Sequence, residues 1–172
     1  MTKRAFHVVV FSVAFGFGLA GAYFIAPGLL STVAYPPDAE LEKRFADRRP
    51  AFTRLLNLFQ EDHHLSSVKN GVAWVDFDTR AESSPGRLRS YDDLFKELGV
   101  SSIHRYARDG SIELRVWSSK SFFIGGKTKS YVYDPNYSGK VTPSLDDVYR
   151  SGIDANCFKS LDDNWYIYLD VW

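Results

Sequence analysis

The sequence predicts an α+β fold: a transmembrane helix near the N-terminus, then one small domain of two main helices packed on an antiparallel sheet of about five strands. Three observations carry that expectation. Residues 5–26 hold no charge and form one apolar run. Leu41, Phe45, Phe52, Leu55, Leu56 and Phe59 recur at helical spacing. Trp165, Ile167, Leu169 and Val171 alternate with polar or tyrosine positions, as a half-buried strand does.

The apolar run comes first in the chain. Lys3 and Arg4 precede it as a short positive head. A stretch of ~20 apolar residues is the length an α-helix needs to cross a bilayer, whereas a cleavable signal has an apolar region of about 7–15 residues. The expected division is a cytoplasmic head at 1–4, a signal-anchor helix at 5–27, a linker at 28–37 and a soluble domain at 38–172. Positive charge at the extreme N-terminus predicts N-in orientation, with the domain in the periplasm and the anchor in the inner membrane. The rival is a signal peptide cut after Thr32-Val33-Ala34, which releases a secreted or periplasmic domain. Ala14, Gly18, Ala22 and Ala26 recur every four residues and line one helix face with small side chains. Such a face allows self-association or close docking on a membrane partner, although Gly and Ala are also common in membrane helices generally.

In the domain, residues 38–62 read as helical with a break near Arg49, because Pro50 is tolerated only in a first turn. Residues 71–77 read as a strand. Ser84 and Pro85 start a second helix whose stripe is Leu88, Tyr91, Leu94, Phe95 and Leu98, and Gly99 stops it. Asp109-Gly110 reads as a two-residue hairpin turn. That register sets Arg108 against Ser111, Tyr106 against Glu113, His104 against Arg115 and Ile103 against Val116. Residues 122–124 and 130–133 are short strands around Gly125-Gly126. Residues 145–150 form a short helix, and residues 164–172 close the chain as a strand.

Composition excludes more than it assigns. The chain carries 21 Lys plus Arg against 21 Asp plus Glu, so it has no general electrostatic pull toward nucleic acid. Its 13 Phe, 10 Tyr and 4 Trp argue for a folded core. The single cysteine, Cys157, forbids an internal disulfide. Gly126-Lys127-Thr128 ends like a phosphate-binding loop, but Ser121 stands where the first glycine is required, and a strand follows instead of a helix. Asp62-His63-His64 lacks a second cluster at metal-ligand spacing. No Gly-x-Ser-x-Gly elbow occurs, and nothing singles out a base for Cys157. No catalytic residue, metal or cofactor is therefore assigned. The residues that remain are aromatic: Tyr131 and Tyr133 share one strand face, as do Tyr166 and Tyr168. Exposed tyrosines are typical of recognition surfaces, although one set of two can equally be core.

Four segments together resemble a known group. They are the loosely matching stretch 55–62, then Arg87, Tyr91, Leu94, Leu98 and Gly99, then Lys129, Tyr131 and Tyr133, and finally Asn164-Trp165-Tyr166. The pattern resembles a family of small uncharacterised bacterial proteins, often exported and often lipoprotein-like, across most of the soluble part. The chain departs from it by lacking a lipid-modified cysteine. The resemblance implies a bacterial envelope location and carries over no activity.

Two function classes follow. One is a non-enzymatic, membrane-anchored module that binds a protein in the periplasm, such as an inhibitor or toxin-immunity protein. The other is a small envelope hydrolase using Asp62, His63, His64 or Cys157. A secreted protein of structural role is a third reading if the signal is cleaved.

Overall fold

The computed structural model describes residues 34–171 except 77, 122–124 and 154. The expected transmembrane helix, with its face of Ala14, Gly18, Ala22 and Ala26, lies outside the described residues. Among the described residues no helix is long and apolar enough to cross a membrane. The expected count of two main helices and about five strands is also corrected. Among the described residues the fold is α+β with four helices and a seven-stranded antiparallel sheet.

The helices are α1 (Asp38–Asp47), α2 (Arg49–Glu61), α3 (Pro85–Leu98) and α4 (Leu145–Ser151). The strands are β1 (Ser67–Lys69), β2 (Val72–Trp74), β3 (Ser102–Arg105), β4 (Ile112–Ser121), β5 (Gly125–Tyr133), β6 (Ala155–Asp162) and β7 (Trp165–Val171). Their order in the sheet is β2-β1-β3-β4-β5-β7-β6. The helical stretch from Asp38 breaks at Arg48, which leaves helical geometry at φ −121°, and Pro50 sits in the first turn of α2. Ser84 caps α3 by accepting from the Arg87 amide, and Gly99 ends it at φ +67°.

The additional strands come from two tight turns. Asn70 and Gly71 both take positive φ (52° and 70°), and so do Asp163 and Asn164 (39° and 69°). Two consecutive positive-φ residues match the right-handed twist of the flanking strands, which is why such turns close hairpins. The first joins β1 to β2, and the second joins β6 to β7. The Asp109-Gly110 turn is corrected in the other direction. Only Gly110 takes positive φ there, and the Asp109 carboxylate accepts from the Ser111 amide and hydroxyl. The loop widens to 107–110, closed by the Tyr106 amide donating to Ser111 O. The pairing becomes His104 with Glu113 and Ile103 with Leu114, two positions from the predicted register. A shift of two keeps every side chain on its predicted face.

One face of the sheet builds the core. Val68, Ile103, Ile112, Leu114, Tyr131, Ile167 and Leu169 meet Leu41, Phe45, Phe52, Leu55 and Phe59 from α1 and α2 in one continuous cluster. Phe52 stands edge-on to Tyr131, with ring centroids 4.7 Å apart, and Phe45 lies 5.5 Å from Trp165. Helix α3 joins through α2. The Tyr91 hydroxyl donates to Asp62 at 2.7 Å, and Arg87 donates to Asp62, Glu61 and Leu58 O.

Candidate functional site

A buried ionic cluster occupies the helix-side face. Lys129, fully buried on β5, directs its three ammonium hydrogens at Tyr35 Oη (2.8 Å), Pro36 O (2.8 Å) and Asp146 Oδ1 (3.0 Å). Asp38 Oδ1 lies 2.7 Å from the same nitrogen. Asp38 Oδ2 accepts the Leu145 amide at the start of α4, and the Asp38 amide donates to Asp146. Lys159 bridges Asp38 to Glu42. The Tyr35 ring stacks on Tyr149 with centroids 3.8 Å apart and meets Trp117 edge-on. Tyr35–Pro37, read from sequence as linker, are thus packed against the sheet. For Asp146, burial raises the carboxyl pKa, but the hydrogen bonds from Lys129 and the Asp38 amide together outweigh it, and the group stays below the usual carboxylate range. Every member is engaged with another, which gives the cluster a structural role: it ties the entering chain and α4 to β5.

The opposite face is different in kind. Among the described residues, the contacts of the helices run to the core face or to one another. The register sets Ser102, Arg115, Ser130, Tyr168 and Phe158 side by side across five strands. A second row holds His104, Glu113, Val132, Tyr166 and Ser160. Thr128, Asp170 and Asn156 form a third. The middle strand contributes only Thr128, Ser130 and Val132 here; Glu113 of β4 reaches Ser130, while Tyr168 of β7 reaches Asn156 and Phe158 of β6. Ser130 and Glu113 are both buried on this face.

Glu113 is the polar centre of this face. It accepts from Tyr106 Oη at 2.5 Å, Ser130 Oγ at 2.6 Å and Arg115 Nε at 3.2 Å. Burial and this acceptor push the Tyr106 hydroxyl pKa well above the ordinary phenol range. His104, in edge contact with Tyr106, has its pKa lowered by burial, against the pull of Glu113. Toward β6 the face turns aromatic. Phe158 stacks on Tyr168 with centroids 4.5 Å apart and lies 4.5 Å from Tyr137, which in turn meets Tyr166 at 4.8 Å. Tyr168 Oη donates to Asn156, and burial, with Asp170 and Glu113 nearby, pushes its pKa up to about 12. Asp170 itself is raised, by burial first and Glu113 second, and Arg115 opposes the shift.

The four tyrosines singled out from sequence are split by the sheet. Tyr131 is fully buried in the core, and its hydroxyl donates to Leu41 O at 2.9 Å. Tyr133 packs on Trp165 on that same side. Tyr166 and Tyr168 stand together on the helix-free face. Sequence reasoning missed Tyr137 and Phe158 beside them, and it set Tyr106 against Glu113 without giving that pair a place in a site. The Asp163-Asn164 turn was the signal that could have found Phe158, because it implies a strand before residue 163.

The residues considered for hydrolysis are not assembled. Asp62 is engaged by Arg87 and Tyr91. His63 and His64 follow α2, leading into the β1 side of the sheet, whereas Cys157 sits half-buried on the β6 edge strand at the other end of the strand order. Among the described residues no group of three or more His, Cys, Asp or Glu could hold a metal. A shallow groove of about 410 Å³ between α1 and the end of β6 is lined by Glu42, Phe45, Arg49 and Asp162, and Arg49 there pairs with Asp162. Comparisons with protein-family models, curated proteins and solved structures return no match to this chain.

Proposed function

We propose that this chain is a non-enzymatic protein-interaction module, exported from the cytoplasm, which engages its partner through the helix-free face of its sheet. The observation that carries the reading is the half-buried aromatic row of Tyr137, Phe158 and Tyr168, with Tyr166 beside it and Tyr106 38 % exposed, on the face that the helices among the described residues leave free. Tyrosine supplies large contact area at low conformational cost and carries a hydroxyl that tolerates water, so such surfaces are enriched in it. An inhibitor or immunity-type protein, which blocks another protein in the same compartment, fits a small domain that offers a contact surface and, among the described residues, no cluster of His, Cys, Asp or Glu that could hold a metal. The export half of the reading rests on residues 5–26. A reporter fused after Trp172 that is active only in the cytoplasm overturns that half.

The binding half is tested by placing a photo-crosslinking phenylalanine analogue at Tyr166 in the producing cell. The control places it at Arg89, exposed on α3. A discrete crosslinked species from position 166 and none from 89 is expected. Equal products from both sites, or none from 166, overturn it.

A further inference from the structure

The helix-free face has an unbalanced charge at its aromatic end. Glu113 and Arg115 neutralise each other, with Tyr106 and Ser130 completing the carboxylate's shell. Asp170 stands one row from Arg115, between Thr128 and Asn156, and its carboxylate has no hydrogen bond or ion pair among the described residues. His104, the remaining titratable group beside Glu113, is held toward its neutral form. The patch formed by Glu113, Arg115 and Asp170 therefore carries a net single negative charge, left by Asp170. Beside it, at neighbouring register positions, are Tyr168 and the Phe158 ring stacked on it. A carboxylate without a donor, set next to aromatic rings, is complementary to a cation with a flat apolar surface. Guanidinium fits that description better than ammonium. It is planar, less strongly hydrated, stacks on aromatic rings and pairs with carboxylates through two parallel hydrogen bonds.

We propose that Asp170, with Tyr168 and Phe158, receives an arginine side chain presented by a protein partner. The inference rests on the interaction-module reading and assigns the chemistry of its contact. No reaction is involved; the arginine exchanges water for the Asp170 carboxylate and the ring faces.

The test uses the full chain, isotopically labelled, in micelles of a nonionic detergent. It is titrated with the blocked tripeptides Ac-Gly-Arg-Gly-NH2, Ac-Gly-Lys-Gly-NH2 and Ac-Gly-Glu-Gly-NH2 while backbone amide resonances are followed. The arginine peptide is expected to shift Asn156, Phe158, Tyr168 and Asp170, the lysine peptide to shift them more weakly, and the glutamate peptide to leave them in place. Asp170→Asn, which keeps the shape, should weaken the arginine peptide about tenfold, the fold-change expected for losing one charge-assisted pair. Phe158→Leu should weaken it severalfold and guards against a rearrangement peculiar to the first variant. The proposal is overturned if the arginine peptide causes no shift at these residues, if the glutamate peptide matches it, or if both variants bind with unchanged affinity. Should crosslinking at Tyr166 persist while the titration fails, the interaction reading stands and the arginine assignment falls.

Discussion

Lys129 shows how one residue can set the stability of the body. It is fully buried, and Asp38 beside it is 4 % exposed, so each charge is tolerable only because the other is present. Lys129→Met leaves Asp38 and Asp146 facing each other with only Lys159, 3.4 Å from Asp38, as a neighbouring cation. The expected loss is about 3–5 kcal/mol of unfolding free energy, read as a fall in the urea midpoint. A loss below about 1 kcal/mol means that water or a rearranged Lys159 replaces the ammonium. Asp62 makes a second prediction with a sign that can be worked out. Burial raises its carboxyl, but the hydrogen bonds from Arg87 and Tyr91 overcome that and hold the folded-state pKa below the ordinary value. Its stabilisation is then fully present above about pH 4 and is lost as pH falls through the folded-state pKa. Asp62→Asn should destabilise at neutral pH and flatten the acid limb of a stability-against-pH curve. An unchanged limb excludes Asp62 as its source.

At the scale of elements, capping and turn chemistry were legible and long-range partners were not. Ser84, Pro85 and Gly99 delimit α3 through interactions within a few residues of each helix end, so the sequence states them openly. Asn70-Gly71 is an equally open turn signal, but the strands it joins are three residues each, too short to show alternation. The Lys129 cluster was invisible for a different reason. Its partners Pro36 and Asp146 lie 93 and 17 positions away, and periodicity assigns a residue to a face without naming what meets it there. The turn itself can be tested. Gly71 takes φ +70°, and a Cβ added there would meet Asp92 Oδ2 at 3.7 Å, an ordinary contact. The expense of Gly71→Ala is thus backbone strain alone, about 1–2 kcal/mol. Thermal unfolding should report that loss while the spectrum of the rest of the sheet stays put, and a larger loss would point to register slippage between β1 and β2.

Across the whole molecule the two faces of the sheet are satisfied to different degrees. On the helix side the buried charges Lys129 and Asp38 are paired with each other, and the rings of Phe45, Phe52, Tyr131 and Trp165 meet one another. Alternation in residues 165–171 predicted two faces but could not say which one the helices cover. Four tyrosines were therefore grouped from sequence, while the fold separates Tyr131 and Tyr133 from Tyr166 and Tyr168. On the open side Asp170 is raised by burial and by Glu113. A raised aspartate has the opposite linkage to Asp62. The folded state binds its proton more tightly than the unfolded chain does, so ionising it opposes folding, and the penalty develops as pH rises through and above the ordinary carboxylate value. Asp170→Asn removes that penalty. The variant should have a higher urea midpoint than the parent at pH 7, with an unchanged slope, and the gain should vanish below about pH 3.5, where both chains are neutral at this position. A residue that lowers stability in the free chain and yet sits one row from the Phe158–Tyr168 pair is what a stability–function trade-off leaves behind. If Asp170→Asn is instead destabilising at pH 7, the carboxylate has an internal role, and the case for an external cation loses its premise.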